Sequence, residues 1–381
     1  LHSLYCIYLI FAKTSFENLH MLLSIVIVNY RVPLMLEQCL HSVDKALTRL
    51  NAETEVFVVD NASGDGSLNL SRKNFPHFHY QENSENLGFA KANNQAMRSA
   101  QGKYILLLNP DTVIGETTLI EVIEAMEKDP RIGGLGVRMI NAHGDFLPES
   151  KRGFPTPSAS FFKLSKLYKI NPSSKKMGRY YMGWLPDTQA AEIEVLAGAF
   201  MLMRKEVLDK VGLLDERFFM YGEDIDLSHR IRLGGYKCYY LPVPILHYKG
   251  ESASVTDLKY LQSFYGAMQL FFDKYYSHMS RVSRGFVSLA IFLHTSLAKI
   301  IRMCRLAVGK GEEKKKPLCA YTSFDRNNIE TYCSKSNLDL LVDTTEISYD
   351  ELLGYMKKLS GRGHTFHLQR GRGSSIISPS R

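Results

Sequence analysis

The sequence predicts an α/β domain built on an open, mostly parallel central sheet, and three observations point that way. Short runs rich in β-branched residues recur at Leu22–Asn29, Glu55–Asp60, Phe78–Glu82 and Tyr104–Leu108. The stretches between them carry helix-period apolar spacing, and strands that alternate with helices form parallel sheets. Polar residues close the runs, with Asn29, Asp60 and the turn Asn109-Pro110-Asp111 all at carboxyl ends. Ligands of open α/β sheets bind there.

Taken in order, Leu22–Asn29 reads as a buried strand, and Val32–Leu50 as a helix with Leu36, Leu40, Val43 and Leu47 on one face. The strand Glu55–Asp60 runs into the turn Asn61–Ser67, whose glycines Gly64 and Gly66 flank an aspartate. After the strand Phe78–Glu82, Asn86-Leu87-Gly88-Phe89 opens a helix that continues through Ala100, and Tyr104–Leu108 follows. Neither G-x-G-x-x-G nor G-x-x-x-x-G-K-[ST] follows the first strand, which excludes a dinucleotide site or a P-loop of the usual kind. A carboxylate closing a strand suits a base N–H, a ribose hydroxyl or a divalent cation.

Two later stretches carry chemistry. Gly198-Ala199 precedes a helix beginning near Lys205, and its small residues leave room either for a sugar or for tight strand packing. Phe218–Arg230 places Glu223, Asp224 and Asp226 at a helix start behind an aromatic run. Carboxylates gather there to cap the helix, or because a partly desolvated carboxylate is a good general base. Trp184, the single tryptophan, lies beside Tyr180, Tyr181 and Met182 as an acceptor-stacking platform or a satellite apolar cluster.

With 45% hydrophobic and 23% charged residues, the 381-residue chain is globular rather than disordered. Its net charge of +8 suits an anionic partner, but no aromatic-basic recognition module supports nucleic acid binding. The six cysteines form no CxxC pair, which argues for a reducing compartment without a disulfide framework.

Seven blocks in order, SIVIVNYR (24–31), VVDNASGDGS (58–67), ENLGFAKANNQAM (85–97), LLLNPDT (106–112), GAFMLMRKE (198–206), FFMYGEDIDLSHRIRLGGY (218–236) and HYKGES (247–252), resemble the family 2 glycosyltransferases of the GT-A fold, in particular the bacterial rhamnosyltransferase-like branch. The resemblance implies a GT-A nucleotide-diphospho-sugar transferase fold over 21–254 and an inverting, metal-dependent transfer to a hydroxyl. It puts Asp60, with Asn29 and Asn61, on the nucleotide base. Gly88, Lys91 and Asn94 fall in the element that closes over the nucleotide, and Asn109, Gly198 and Ala199 complete the donor site. Asp111 and His247 are the implied ligands of a divalent metal, Mg or Mn, although Asn109 stands where the family's metal motif has its first aspartate. Asp224 is the implied general base and Asp226 a helix cap, with Glu223 and Trp184 orienting the acceptor.

The expected partners are a nucleotide-diphosphate sugar, with dTDP-rhamnose the favoured donor, and a glycan or lipid-linked glycan acceptor. A hexosyl or galactofuranosyl transferase, or a nucleotide-binding protein with impaired catalysis, stands as the alternative. Residues 1–20 read as a non-native upstream extension, since Met21 directly precedes the first strand. The region 255–308 is aromatic and basic, suiting either a helical hairpin on the catalytic domain or peripheral contact at the inner face of the plasma membrane, in the cytoplasm. A charged linker follows at 309–317, and 318–381 forms a small appended βα segment with a strand at Leu338–Asp343 and a helix at Tyr349–Leu359.

Overall fold

The computed structural model describes residues 21–248, 258–277, 321–371 and 373–379. The expected upstream extension 1–20, the basic stretch after residue 277 and the linker 309–317 lie outside the described residues.

The parallel half of the sheet forms where the β-branched runs predict it. Strands β1 (Leu23–Asn29), β2 (Thr54–Asp60), β3 (His79–Glu82) and β4 (Tyr104–Leu108) pair in parallel in the order β3-β2-β1-β4. Beyond β4 the pairing turns mixed. Strand β8 (Phe200–Arg204) runs antiparallel to β4 and to β6 (Ile132–Ile140), and β6 runs parallel to the long β9 (Lys237–His247). Two short strands, β5 (Thr112–Val113) and β7 (Ala191–Ile193), pair antiparallel to β9.

All nine residues of β6 are buried, yet Gly133, Gly134 and Gly136 give it a weak strand signal. The glycines are there because neighbours close in. A Cβ on Gly133 would lie 2.7 Å from the Tyr236 Cβ, and one on Gly134 2.7 Å from the Leu196 Cδ1.

Helices cover both faces of the sheet. On one, α1 (Pro33–Leu50) and α4 (Thr118–Lys128) bury Leu36, Leu40, Val43, Leu119 and Val122 against β1, β2 and β4. Proline at the first turn of α1 suits its start, since the missing N–H has no helical acceptor there. On the other face, α3 (Phe89–Met97), α6 (Lys205–Val211) and α7 (Glu223–Leu233) bury Ala92, Val207, Leu227 and Ile231. Shorter helices α2 (Ser67–Asn74) and α5 (Pro157–Leu164) lie in the connections.

Two C-terminal additions lean on this body. Helix α8 (Leu258–Tyr275) packs Phe271 and Ala267 against Phe218 and Phe154, so the described part of the aromatic region is docked protein. Among the described residues no helix is long and apolar enough to cross a membrane. The tail forms a parallel three-stranded sheet of β10 (Thr322–Ser323), β11 (Asp339–Asp343) and β12 (Thr365–Gln369), with α9 (Ile329–Ser334) and α10 (Tyr349–Lys358). Its core is not its own: Leu340, Leu353 and Phe366 share one cluster with Val113, Ile140 and Leu246 of the main domain. Glu116 also accepts the Tyr349 and Asp350 N–H groups at the start of α10, at 2.9 and 2.8 Å. A segment too short to bury a core alone is thus completed by borrowed surface.

Candidate active site

Parallel register puts Asn29, the last residue of β1, beside Asp60, the last of β2. The Asn29 amide donates to Asp60 at 2.7 Å and reaches the hydroxyls of Ser63 and Ser67 at 3.1 and 3.0 Å. The Ser63 N–H donates to the second Asp60 oxygen at 2.9 Å, so this carboxylate also shapes its own turn. The buried Asn29 Oδ1 has no hydrogen-bond partner.

Three expected donor contacts have structural duties instead. Asn61, 3% exposed, donates to the Asn86 side chain and the Gly88 carbonyl while accepting from Asn83 and the Leu87 N–H. Asn94, 2% exposed, donates to the Leu214 carbonyl and Glu216 and accepts from the Leu214 N–H. Both side-chain amides are engaged inside the fold. Gly88, at φ +82°, allows a close backbone approach, but to Phe219: a Cβ there would sit 2.4 Å from the Phe219 carbonyl oxygen. The same join carries a Phe89 N–H bond to that carbonyl at 2.6 Å. Lys91 stands exposed on α3.

Asp111 and His247 are brought together by sheet pairing. Thr112 lies opposite His247, and the Tyr248 N–H donates to the Asp111 carbonyl at 3.0 Å. The Asp111 carboxylate, buried to 4% exposure, lies 3.4 Å from His247 Nε2. Burial works to raise its pKa, but the His247 charge and hydrogen bonds, one from the Asn109 side chain, outweigh that and hold it below the usual value. Asp111 Oδ1 and His247 Nδ1 are both buried without hydrogen-bond partners. Among the described residues no group of three His, Cys, Asp or Glu side chains gathers in metal-binding geometry. One carboxylate and one imidazole fit a Mg or Mn ion that takes its remaining ligands from water and phosphate oxygens.

A short backbone path links this corner to the acidic helix start. The Asn109 N–H donates to the Ala199 carbonyl at 3.0 Å, and the adjacent Gly198 N–H points at Asp224 Oδ2 at 3.4 Å. Positive φ at Tyr221 and Gly222, 69° and 90°, swings the chain into α7. The N-cap residue, Gly222, makes no side-chain cap; Asp224 accepts one free N–H of the first turn, so the capping reading holds in part for Asp224 and fails for Asp226. Asp224 accepts from Arg152 through Oδ2 and from the Ile225 N–H through Oδ1 at 2.8 Å. Glu223, 6% exposed, has an Oε2 without a partner. Burial, reinforced by the Asp224 charge, pushes its pKa up to about 8.

Asp226, expected as a cap, is fully buried and pins α8 to α7. It takes the Lys274 ammonium, the Tyr275 hydroxyl at 2.6 Å and the Arg230 guanidinium at 2.9 Å. The fourth residue of the acidic run has rotated away from the helix end, to where only side chains can meet it.

Arg152 was not singled out from sequence, and Tyr180 was named only as a neighbour of Trp184. An arginine in an unassigned loop carries no periodic signal, and only the fold reveals that it is buried against Asp224 and the Leu196 carbonyl. Burial would push the Tyr180 phenol up, but Lys163 and Arg152 outweigh it and hold the pKa below the usual value. Arg152, Tyr180, Glu223 and Asp224 line one end of a cavity of about 560 Å³. Trp184 is not among its lining residues. It packs on the edge of the second core cluster, beyond the turn at Met182, and Tyr180 takes the place expected for it.

Comparison with known proteins gives concordant results. A profile described as glycosyl transferase family 2 matches residues 24–212. The chain is 26% identical over 314 residues to N-acetylglucosaminyl-diphospho-decaprenol L-rhamnosyltransferase of Mycobacterium tuberculosis, covering 74% of this chain and 95% of that one. It is 29% identical over 217 residues to rhamnosyltransferase WbbL of Escherichia coli, covering 54% and 78%. Among solved structures, the mannosyltransferase PcManGT of Pyrobaculum calidifontis, in complex with GDP-Man and Mn²⁺, aligns at TM-score 0.47 with 16% identity over 81% of this chain and 83% of its own.

Proposed function

The chain carries a family 2 glycosyltransferase domain over residues 24–212, and from that premise we propose that it transfers rhamnose or another deoxyhexose, with inversion. The donor is a nucleotide-diphosphate sugar such as dTDP-rhamnose, and the acceptor a hydroxyl of a lipid-linked or polysaccharide glycan. One observation carries the proposal: Asp224 stands at the end of a cavity, held by buried Arg152 and joined through Gly198 and Ala199 to the corner where Asp111 meets His247.

Asp60 at the end of β2 grips the nucleotide base, with Asn29 fixing its orientation. Asp111 and His247 would hold Mg or Mn, whose positive charge would offset that of the departing diphosphate. Gly198 and Ala199 leave space for the donor sugar beside Asp224. A Cβ on Gly198 would lie 3.6 Å from the Asp224 Cβ, so a larger side chain would enter that space.

The acceptor hydroxyl reaches Asp224 from the cavity and gives up its proton to the carboxylate. Its oxygen bonds to the anomeric carbon as the bond to the phosphate oxygen breaks on the opposite face, and the nucleoside diphosphate leaves. Arg152 keeps Asp224 aimed. Glu223, neutral at pH 7, has a proton to donate to an acceptor oxygen. The work is done at the cytoplasmic membrane face, where lipid-linked glycans are extended.

Replacing the base isosterically tests this. Asp224→Asn is expected to lower kcat at least ~100-fold, while calorimetry finds donor affinity within about threefold of wild type. Full transfer by the variant overturns the assignment, and product from a hexose donor but none from dTDP-rhamnose overturns the donor choice.

A further inference from the structure

We propose that the cavity between α5 and α8 is the binding site for a long apolar chain on the acceptor, joined to the accepting sugar through a phosphate or diphosphate that Lys163 and Arg152 hold. This rests on the glycosyltransferase reading above and assigns its acceptor side.

The walls decide the chemistry. Away from the Asp224 end the cavity is bounded by Phe161 and Leu164 from α5 and by Phe264, Met268 and Phe271 from α8. Its volume of about 560 Å³ is that of a ligand site. Hydroxyls of Ser160, Ser165, Tyr221 and Tyr276 also line the space, but most of its wall is apolar, and each saccharide hydroxyl left unpaired against it would cost on the order of 2–7 kcal/mol. An aliphatic chain loses nothing of the kind and gains burial. Asp60, Asp111 and His247 do not line the space, so it lies on the acceptor side of Asp224.

The charges place the head group. Glu223 and Asp224 are the acids among the lining residues, both at the end where a hydroxyl must be activated. The lining cations are Arg152, against Asp224, and Lys163. Lys163 Nζ sits 3.7 Å from the Tyr180 ring centre and 5.8 Å from that of Phe264. A cation held over aromatic faces at the border of polar and apolar linings is where the phosphate of an amphiphile would rest, its chain running on past α8. Phe161, 59% exposed, marks the rim at which a chain longer than the cavity would emerge.

The test compares acceptors with the same sugar diphosphate on a polyprenyl chain or on a propyl group, plus a propyl glycoside without phosphate. The wild-type chain is expected to use the polyprenyl acceptor with kcat/KM at least ~100-fold above the propyl one. Ala267→Trp, which fills the cavity, should collapse that ratio at least ~10-fold. Lys163→Met should weaken both diphosphate acceptors and spare the phosphate-free glycoside. Donor affinity by calorimetry confirms that each variant is folded. A benzophenone-tagged prenyl diphosphate should label 263–277, in competition with the untagged lipid. Equal use of long and short chains, or labelling elsewhere, overturns the proposal. If no donor supports transfer but the label still lands on α8, the glycosyltransferase reading fails and the lipid site stands.

Discussion

Glu223→Gln should make this protein more stable, by an amount that grows with pH. In the folded chain Glu223 is 6% exposed, with one oxygen unpartnered and Asp224 adjacent, and its pKa rises from 4.5 to about 8. Below pH 4.5 the group is protonated folded or unfolded and makes no difference. From there to pH 8 the unfolded chain releases the proton that the folded chain retains, so the stability present at low pH is lost as pH rises. The loss amounts to about 1.4 kcal/mol per pH unit, hence about 3 kcal/mol at pH 7 as a ceiling. Glutamine has the same shape and no proton to lose. Urea titrations of both proteins at pH 5, 6, 7 and 8 are the assay. With m of roughly 3 kcal/mol/M, the variant's midpoint should exceed wild type by about 1 M at pH 7 and by little at pH 5. A difference that does not change with pH, or a variant weaker at every pH, would refute the reasoning.

Asp226→Asn removes the charge facing Lys274 and Arg230, which are 22% and 19% exposed. We expect about 3 kcal/mol of destabilisation, the low end for a broken buried pair, and faster limited proteolysis within 263–277; an unchanged cleavage rate would count against the anchor. Gly88→Ala puts a Cβ 2.4 Å from the Phe219 carbonyl at φ +82°, and chemical denaturation should show a loss of about 2 kcal/mol, with lower kcat because the Phe219–Asp224 segment moves. Leu353→Asp, at a site 1% exposed in the core shared by tail and main domain, should lower the single calorimetric transition of the whole molecule, whereas two separate transitions would mean an independent tail.

Much of the site's outline was legible because it follows local rules. A strand that ends in a polar residue delivers that residue to the sheet's carboxyl edge, and parallel pairing then sets Asn29 beside Asp60. The acidic run at 223–226 and the tail's β11 and α10 were visible as strong short-range patterns. Asn61 and Asn94 tie loops together, and an asparagine that does so looks the same in sequence as one that meets a ligand. Trp184 lies off the cavity on the edge of a core cluster, while its near neighbour Tyr180 lines the cavity.

The sequence alone determined the α/β class, the likeness to family 2 glycosyltransferases and the identities of the strand-end carboxylates, since periodicity and motif order survive without coordinates. Only the tertiary structure decided what each acid meets. Glu223, Asp224 and Asp226 are nearly adjacent in the chain, yet one lines a cavity with an unpartnered oxygen, one meets Arg152 and one is buried under α8. Helical rotation sends neighbours to different faces, and each carboxylate's chemistry is then set by distant residues that burial brings against it.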